Sequence, residues 1–563
     1  MNTPREQIPQ SLSEDHERAH YYRHHSRHEL PEPPGEDAYQ RIGVVGGGTA
    51  GFLAALALRA RYPQLEVTLI ESSSIPIIGV GEATAPHIVP FLHQFCDIDV
   101  HEFYEEVRPT WKLGIRFDWG PREVSHFNAP FDWDFNNVGV RGSLAYDGNA
   151  NAMTLESMLM EHQVTPIVRP AGGTDAPTGS LLRDIPYAYH LENRRLVRYL
   201  HKVAARRGVR YLDRKIERVA VTADGSEIDH LLTDQGEQLK FDLYIDCSGF
   251  RSLLLGSALK TPFVSFASTL FTDRALTFSA PHHGKIKPYT TATTMNAGWT
   301  WTIPHEEHDN NGYVFSSAFL SNDEAEREAR ARFPGMGDVS DVVRFRSGRH
   351  QDCWRGNVVA IGNAHAFVEP LESTGLFMIC VTIQKLLALF PPSKRDRSAR
   401  ILLNSFVASR WDGLRWFLGA HFKFNRRLET PFWQAARADV DISGAEYLVT
   451  AFQERGPLRG RPQEVLQLIN DSANVSIYFG LGGWDCILLG QFVPCQLPPL
   501  SEPREVWQRR KQDALDLVAR AVDHAQALKI VRERPELLDE VLQKDAWPRQ
   551  MFPGAAVPKA AAR

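Results

Sequence analysis

Two side chains in this 563-residue sequence stand where their type and neighbours could do chemistry. Lys112 lies in TWKLGIRF, residues 110–117, which alternates like a strand. Between Trp111 and Leu113 its amine could be a nucleophile if burial held down its proton affinity. On the strand's polar face, beside Arg116, it would be a solvated charge. Glu372 lies in FVEPLESTG, residues 367–375, ahead of a segment that reads as helix to Leu389. A carboxylate there could move a proton or steady a cation. It could equally be an acid favoured by the helix dipole, with Ser373 or Thr374 as the cap. The amides and hydroxyl around Thr374-Gly375 would suit an anion.

Such groups need a scaffold, and residues 42–52 supply the clearest part of it. Ile42 to Val45 reads as a buried strand that enters Gly46-Gly47-Gly48-Thr49-Ala50-Gly51 and then a helix-forming run, Phe52 to Ala60. Gly46 permits a tight turn, Gly48 lets backbone approach a pyrophosphate, and Gly51 lets helix and strand pack closely. A second strand, Glu66 to Ile70, ends in Glu71, about 20 residues on, where a ribose-binding carboxylate belongs. GxGxxG alone can be a surface turn; strand, helix, strand and acid in order predict a dinucleotide site. Residues 241–249, with Asp246 and Gly249, read as a strand and turn where backbone could meet a dinucleotide. Residues 357–362, closed by Gly362, read as another buried strand meeting a turn.

Composition narrows the class. Hydrophobic residues at 43% and charged residues at 23% describe an ordinary globular protein, and the length calls for two or more subdomains. A formal charge of -5 without a long basic block argues against nucleic acid. Arg59 and Arg61 end the most apolar stretch, so no membrane span is expected. The opening MNTPREQIPQ has no apolar follow-on, so no signal peptide is expected. The scattered Cys96, Cys247, Cys353, Cys380, Cys486 and Cys495 read as buried free thiols in a reducing, cytoplasmic compartment. His16, His20, His24, His25 and His28 could share a helix face, but no closed metal site is completed.

In chain order, residues 1–40 read as a flexible arm and 41–395 as the nucleotide-binding module. The loop 76–86, with Gly79 and Gly81, leads into a predicted helix from Glu82-Ala83-Thr84 through Phe95. Residues 118–150 are aromatic and aperiodic, and 165–180 form a Pro/Gly/Thr-rich loop. A helix is predicted over Tyr187 to Ala205 and an inserted sheet over about 262–320. Residues 396–550 are mostly helical by pattern, apart from 470–500, and 551–563 form a frayed tail.

Together these motifs resemble the flavin-dependent tryptophan halogenases, over roughly residues 41 to 500. The likeness rests on VVGGGTAG at 44–51, GVGEAT at 79–84, the lysine of TWKLGIRF at 112, GWTWTIP at 298–304 and FVEPLESTG at 367–375. It implies an α/β fold: a Rossmann-like FAD-binding module of the flavin monooxygenase type, an inserted β-sheet and a C-terminal helical module that helps close the substrate site. FAD would arrive reduced from a separate NAD(P)H-dependent flavin reductase, react with oxygen to a hydroperoxide, and oxidise chloride to hypochlorous acid. The resemblance makes Lys112 the group that receives hypochlorous acid, hydrogen-bonded or as a chloramine, and Glu372 the carboxylate that assists ring substitution. Thr374 and Gly375 would hold halide. Gly46, Gly48, Thr49, Ala50, Gly51, Glu71, Gly81, Glu82, Ala83, Asp246, Gly249 and Gly362 would meet the cofactor. Trp299 and Trp301, core aromatics if seen alone, would wall flavin from substrate, and Trp433 would lie near the indole pocket.

The segment His126-Phe127-Asn128-Ala129-Pro130-Phe131 departs from the free-tryptophan enzymes, so His126 and Phe127 would form an altered pocket floor. That favours a tryptophan within a peptide, as in lanthipeptide-modifying members of the family, over free tryptophan or another small aromatic. A flavin hydroxylase of the same fold, which would need neither halide nor Lys112, is the alternative activity. A degenerate flavin-binding scaffold is disfavoured, because the lysine, the glutamate and both tryptophans survive together.

Overall fold

The computed structural model describes residues 37–75, 81–131, 154–171, 178–339, 341–391, 393–458, 479–496, 504–543 and 546–548, with Gln467. The histidine-bearing arm before residue 37, Gly79, Trp133 and Phe135, the centre of the 165–180 loop and the tail from 551 lie outside these.

Arg41–Val45 forms a strand because Ile42 and Val44 are buried, and it lies inside a six-stranded sheet. Its neighbours are Glu66–Glu71 and Leu243–Asp246, both parallel to it. Arg210–Asp213 extends one side, and Val358–Ala360 and then Trp354–Arg355 the other, the last antiparallel. Helix Thr49–Arg61 follows the glycine turn. Gly46 takes φ +118°, and a Cβ on Gly51 would stand 1.9 Å from the Gly46 carbonyl oxygen, so close packing demands glycine at both.

The expected inserted sheet is present but larger. Arg274–Ala280, Thr290–Met295, Gly298–Pro304 and Asp309–Phe315 belong to a seven-stranded sheet completed by Asp341–Arg344 and by Gly114–Asp118 and Phe127–Pro130 from earlier in the chain. Gly114–Asp118 pairs parallel with Thr290–Met295, and Gly114 pairs with Pro130 and Phe117 with Phe127 on its other edge.

Three predicted elements are corrected. Glu82–Ala83 is a short strand, not a helix start, and helix begins only at Ile88. Ala188–Leu191 is likewise a strand, with helix Asn193–Arg206 starting after Glu192, whose carboxylate accepts from the amides of Arg194 and Arg195. Both changes have one cause: Ala188–Leu191 is paired between Glu82–Ala83 and Thr110–Lys112, and those ladder bonds satisfy its backbone better than a helix would. Gly480–Gly490 is a helix within the stretch excepted from the helical region.

Helices Ser398–Phe424, Pro431–Asp439 and Glu446–Arg455 lead the C-terminal region. They share one continuous core with the sheets, and their side chains interlock: Trp119 donates to the His421 carbonyl and Trp433 to that of Met295. All six cysteines are free, four of them buried. No helix among the described residues is long and apolar enough to cross a membrane.

Trp301 pairs across the sheet with Gly312, and a Cβ there would stand 2.0 Å from the indole. Gly312→Ala should cost roughly 1–3 kcal/mol by overpacking, read as a lower urea midpoint. Gly179→Ala, with nothing among the described residues within 4 Å of the new Cβ, should leave stability within about 0.5 kcal/mol of wild type.

Candidate active site

Lys112 ends the strand Thr110–Lys112, where the chain passes from the small sheet into the large one. Gly114 makes that passage possible, since a Cβ there would stand 2.3 Å from the Ala129 carbonyl oxygen. Thr110 anchors the strand by donating to the Pro304 carbonyl, at the end of the GWTWTIP run. The Lys112 side chain is fully buried. Its Nζ donates to the Thr84 carbonyl at 3.0 Å and to Ser373 Oγ at 2.6 Å, and it lies 5.3 Å from the centre of the Phe131 ring. Burial pulls its pKa down to about 7 against the opposing pull of Glu372. The solvated-lysine reading is therefore excluded.

Glu372 closes the short 3-10 helix Pro370–Glu372, and helix Thr374–Ala388 starts two residues later. Between them Ser373 takes φ 56°, the left-handed region, which turns its hydroxyl to Lys112. Glu372 is buried, and its Oε1 is 2.7 Å from His421 Nε2. It is thus no solvated helix-start acid. Among the described residues the Thr374 hydroxyl is buried without a partner, and a Cβ on Gly375 would meet nothing within 4 Å. Space and unmet donors therefore coincide at the start of this helix. The neighbouring Glu369, which sequence reasoning missed, accepts from Trp299 Nε1 at 2.7 Å and Thr272 Oγ1 at 3.1 Å. Burial pushes its pKa up to about 7, opposed by those two bonds.

The residues present fit a dinucleotide. Among the described residues a Cβ on Gly48 or Gly249 would meet nothing within 4 Å, so both turns face open space, and a Cβ on Gly362 would stand 3.5 Å from that of Ala50. Glu71 stands at the end of its strand, its Oε2 against Gly47 and its Oε1 accepting from Tyr211. Thr49 donates its hydroxyl to Asn193, which leaves its amide for a ligand. Gly81 stands against His305 and Asn310, while Glu82 and Ala83 pair with Leu191 and His190, just before the Lys112 acceptor Thr84. A cavity of about 690 Å3 opens beside the Gly249 and Gly362 turns, reaching Phe250 and Asn363, but it includes neither Lys112 nor Glu372.

Asp246 departs from its expected cofactor contact: its oxygens accept from Ser248, Leu254 and Leu255, so it braces its own turn. Trp433 is a core residue, with no exposed surface and its ring stacked 5.7 Å from Phe422. His126 bonds Glu161, which also takes Arg116, and Phe127 stacks on Phe117. Within segment 126–131 it is Phe131 that meets Lys112. Trp299 and Trp301 lie close together, ring centres 6.1 Å apart, with Trp299 tied to the Glu372 loop through Glu369.

A profile described as tryptophan halogenase matches residues 41–501. The chain belongs to the tryptophan halogenase family. It is 36% identical to the 7-chloro-L-tryptophan 6-halogenase KtzR of Kutzneria sp. (strain 744), over 74% of this chain and 85% of that one. Among solved structures, MibH, described as a lanthipeptide tryptophan 5-halogenase, superposes with a TM-score of 0.86 at 48% identity, covering 92% of this chain and 98% of its own. The tryptophan 6-halogenase SttH of Streptomyces toxytricini gives 0.76 at 30% identity, covering 88% and 100%. As a tryptophan halogenase, this protein is a flavin-dependent oxidoreductase that uses FAD and chloride to halogenate a tryptophan or indole ring, with reduced flavin from a separate reductase. The hydroxylase and scaffold alternatives fall with that assignment.

The depressed Lys112 pKa makes stability depend on pH. From about pH 7 to about 10.4, the ordinary lysine value, the unfolded chain binds a proton that the folded chain does not, so stability rises with pH. The cost of burial is in full force below pH 7 and is relieved across that window. The stability of wild type relative to Lys112→Met should climb between pH 7 and 10 by at most about 1.4 kcal/mol per unit. Urea unfolding of both proteins at several pH values measures this, and a flat difference would exclude a depressed amine.

Proposed function

We propose that the halogenating apparatus is Lys112, Glu372 and the Thr374-Gly375 turn, and that its substrate is a tryptophan carried in a peptide. The observation that carries the first part is the buried Lys112, hydrogen-bonded to a carbonyl and a hydroxyl and, among the described residues, to no carboxylate. The turns at Gly46 to Gly51, Gly249 and Gly362 would hold reduced FAD, which would supply hypochlorous acid from oxygen and chloride. Unmet donors at Thr374 and Gly375 hold the halide. Lys112 receives the chlorine species on an amine that is partly neutral near pH 7. Its fixed Nζ presents chlorine to one carbon of the ring. Glu372 takes the proton that this carbon loses. Trp299 and Trp301 would separate flavin from indole and prevent direct oxygen transfer, with Trp299 pinned by Glu369.

The peptide reading is supported by two observations. Similarity to the lanthipeptide enzyme, at 48% identity, exceeds that to the tryptophan 6-halogenase, at 30%. Free tryptophan also brings an ammonium and a carboxylate that a buried site must pair, and Glu161 is already engaged by both His126 and Arg116. A peptide tryptophan carries neither charge.

Lys112→Ala should abolish chlorinated product while reduced FAD is still consumed by oxygen at nearly the wild-type rate. Stopped-flow absorbance and mass spectrometry of product separate the two steps, and retained regioselective chlorination would remove Lys112 from the mechanism. For the substrate, kcat/KM for a tryptophan-containing lanthipeptide should exceed that for free tryptophan by about 10²-fold or more, as when a site rejects charges it does not pair. Efficient chlorination of the free amino acid with none on peptides would reverse this assignment.

A further inference from the structure

We propose that His421 is a positioning residue that holds Glu372 and shares its proton, making the two a single acceptor for the proton lost by the ring. The inference rests on the role given to Glu372 above. None of the motifs that carry the family resemblance contains His421.

Hydrogen-bond polarity leads to this assignment. His421 Nδ1 is 2.9 Å from the Phe417 carbonyl oxygen, which can only accept, so Nδ1 carries hydrogen. Nε2 is 2.7 Å from Glu372 Oε1. A neutral imidazole with its hydrogen on Nδ1 would set two acceptors face to face there. The contact therefore contains a proton: the pair is imidazolium with carboxylate, or imidazole with carboxylic acid. Both side chains are buried, at 0% and 7% exposure, so water does not replace that proton. The ring is also fixed in place. Phe117 and Phe417 lie 5.2 and 5.0 Å from its centre, and the residue's own carbonyl accepts from Trp119.

Glu372 Oε2 makes no hydrogen bond among the described residues, so it is the oxygen left to meet the ring. Once the carbon–chlorine bond has formed, the carbon–hydrogen bond breaks and its electron pair restores aromaticity. The proton goes to Oε2. If the dyad began as imidazole and carboxylic acid, the proton on Oε1 moves to Nε2 at the same time. Either start ends with imidazolium and carboxylic acid, so the dyad gains one proton and one positive charge. A lone buried carboxylate would have to re-form an unsupported anion before the next turnover, and His421 removes that cost by solvating it with a fixed donor.

His421→Gln tests this, because glutamine can still donate to Glu372 but cannot hold the proton. In the full-length protein, 15N-histidine NMR should show a His421 signal with hydrogen on both nitrogens or shared at Nε2, identified by its loss in His421→Gln and shifted by Glu372→Gln. A spectrum with Nε2 unprotonated and indifferent to Glu372→Gln overturns the proposal without any substrate. With ring-deuterated L-tryptophan, free and within a synthetic peptide, His421→Gln should lower kcat by at least about tenfold. It should also raise the ring deuterium isotope effect above the wild-type value, with circular dichroism and the oxidation of reduced FAD unchanged. Wild-type turnover and an unchanged isotope effect in the variant would also overturn it. Failure of the wild-type enzyme to chlorinate either probe would instead sink the substrate reading, and the NMR result would still decide the role of His421.

Discussion

The burial of one amine that has no carboxylate hydrogen-bond partner among the described residues is the constraint on which the site depends. A buried ammonium is costly, and the chain answers by letting Lys112 sit near neutrality rather than by pairing it. Its two acceptors come from segments far apart in sequence, Thr84 beside the small sheet and Ser373 before helix Thr374–Ala388. Ser373 reaches Nζ only because its backbone takes the left-handed conformation, a departure of order 1–3 kcal/mol for a residue with a Cβ. Strain at that spot accompanies the bond to the lysine and also sets the direction in which the next helix presents its free amides.

Glu369 extends the same logic to the sheet that carries Trp299 and Trp301. Its Oε2 joins Trp299, on the seven-stranded sheet, to Thr272, on the approach to that sheet's second strand. The carboxylate lies three residues before Glu372, so the sheet that carries the tryptophans and the loop that carries the acid cannot shift independently. Burial raises its pKa to about 7, which fits a group whose task is to accept two hydrogen bonds rather than to carry charge.

What could be read from the sequence was what local backbone geometry dictates. The glycine turn, its helix and Glu71 were legible because glycine spacing encodes close approaches within about 30 residues. The helices expected at 82–95 and 187–205 were wrong at their starts because partner strands remote in sequence claim those residues, and tertiary pairing overrides propensity. Lys112 and Glu372 could be singled out by type and motif, but their junction at Ser373 spans 261 positions and has no local signal. His421 was invisible for the same reason: a lone histidine in an apolar helix reads as core. Asp246 and Trp433 show the converse, since each is a chemically suggestive residue whose polar atoms are spent inside the fold.

The division of partners between Lys112 and Glu372 explains how two buried, oppositely ionising groups stay useful side by side. A direct ion pair would raise the lysine pKa by about 1–3 units, leaving a bound ammonium. Instead Ser373 holds the amine and His421 holds the acid. For Lys112, desolvation outweighs the attraction of Glu372, which is why its pKa falls rather than rises. The hydroxyl between them can donate or accept as the amine changes state. A buried amine and a buried carboxylate then coexist on either side of the Glu372-Ser373 turn, because each is hydrogen-bonded by a different partner and neither spends itself on the other.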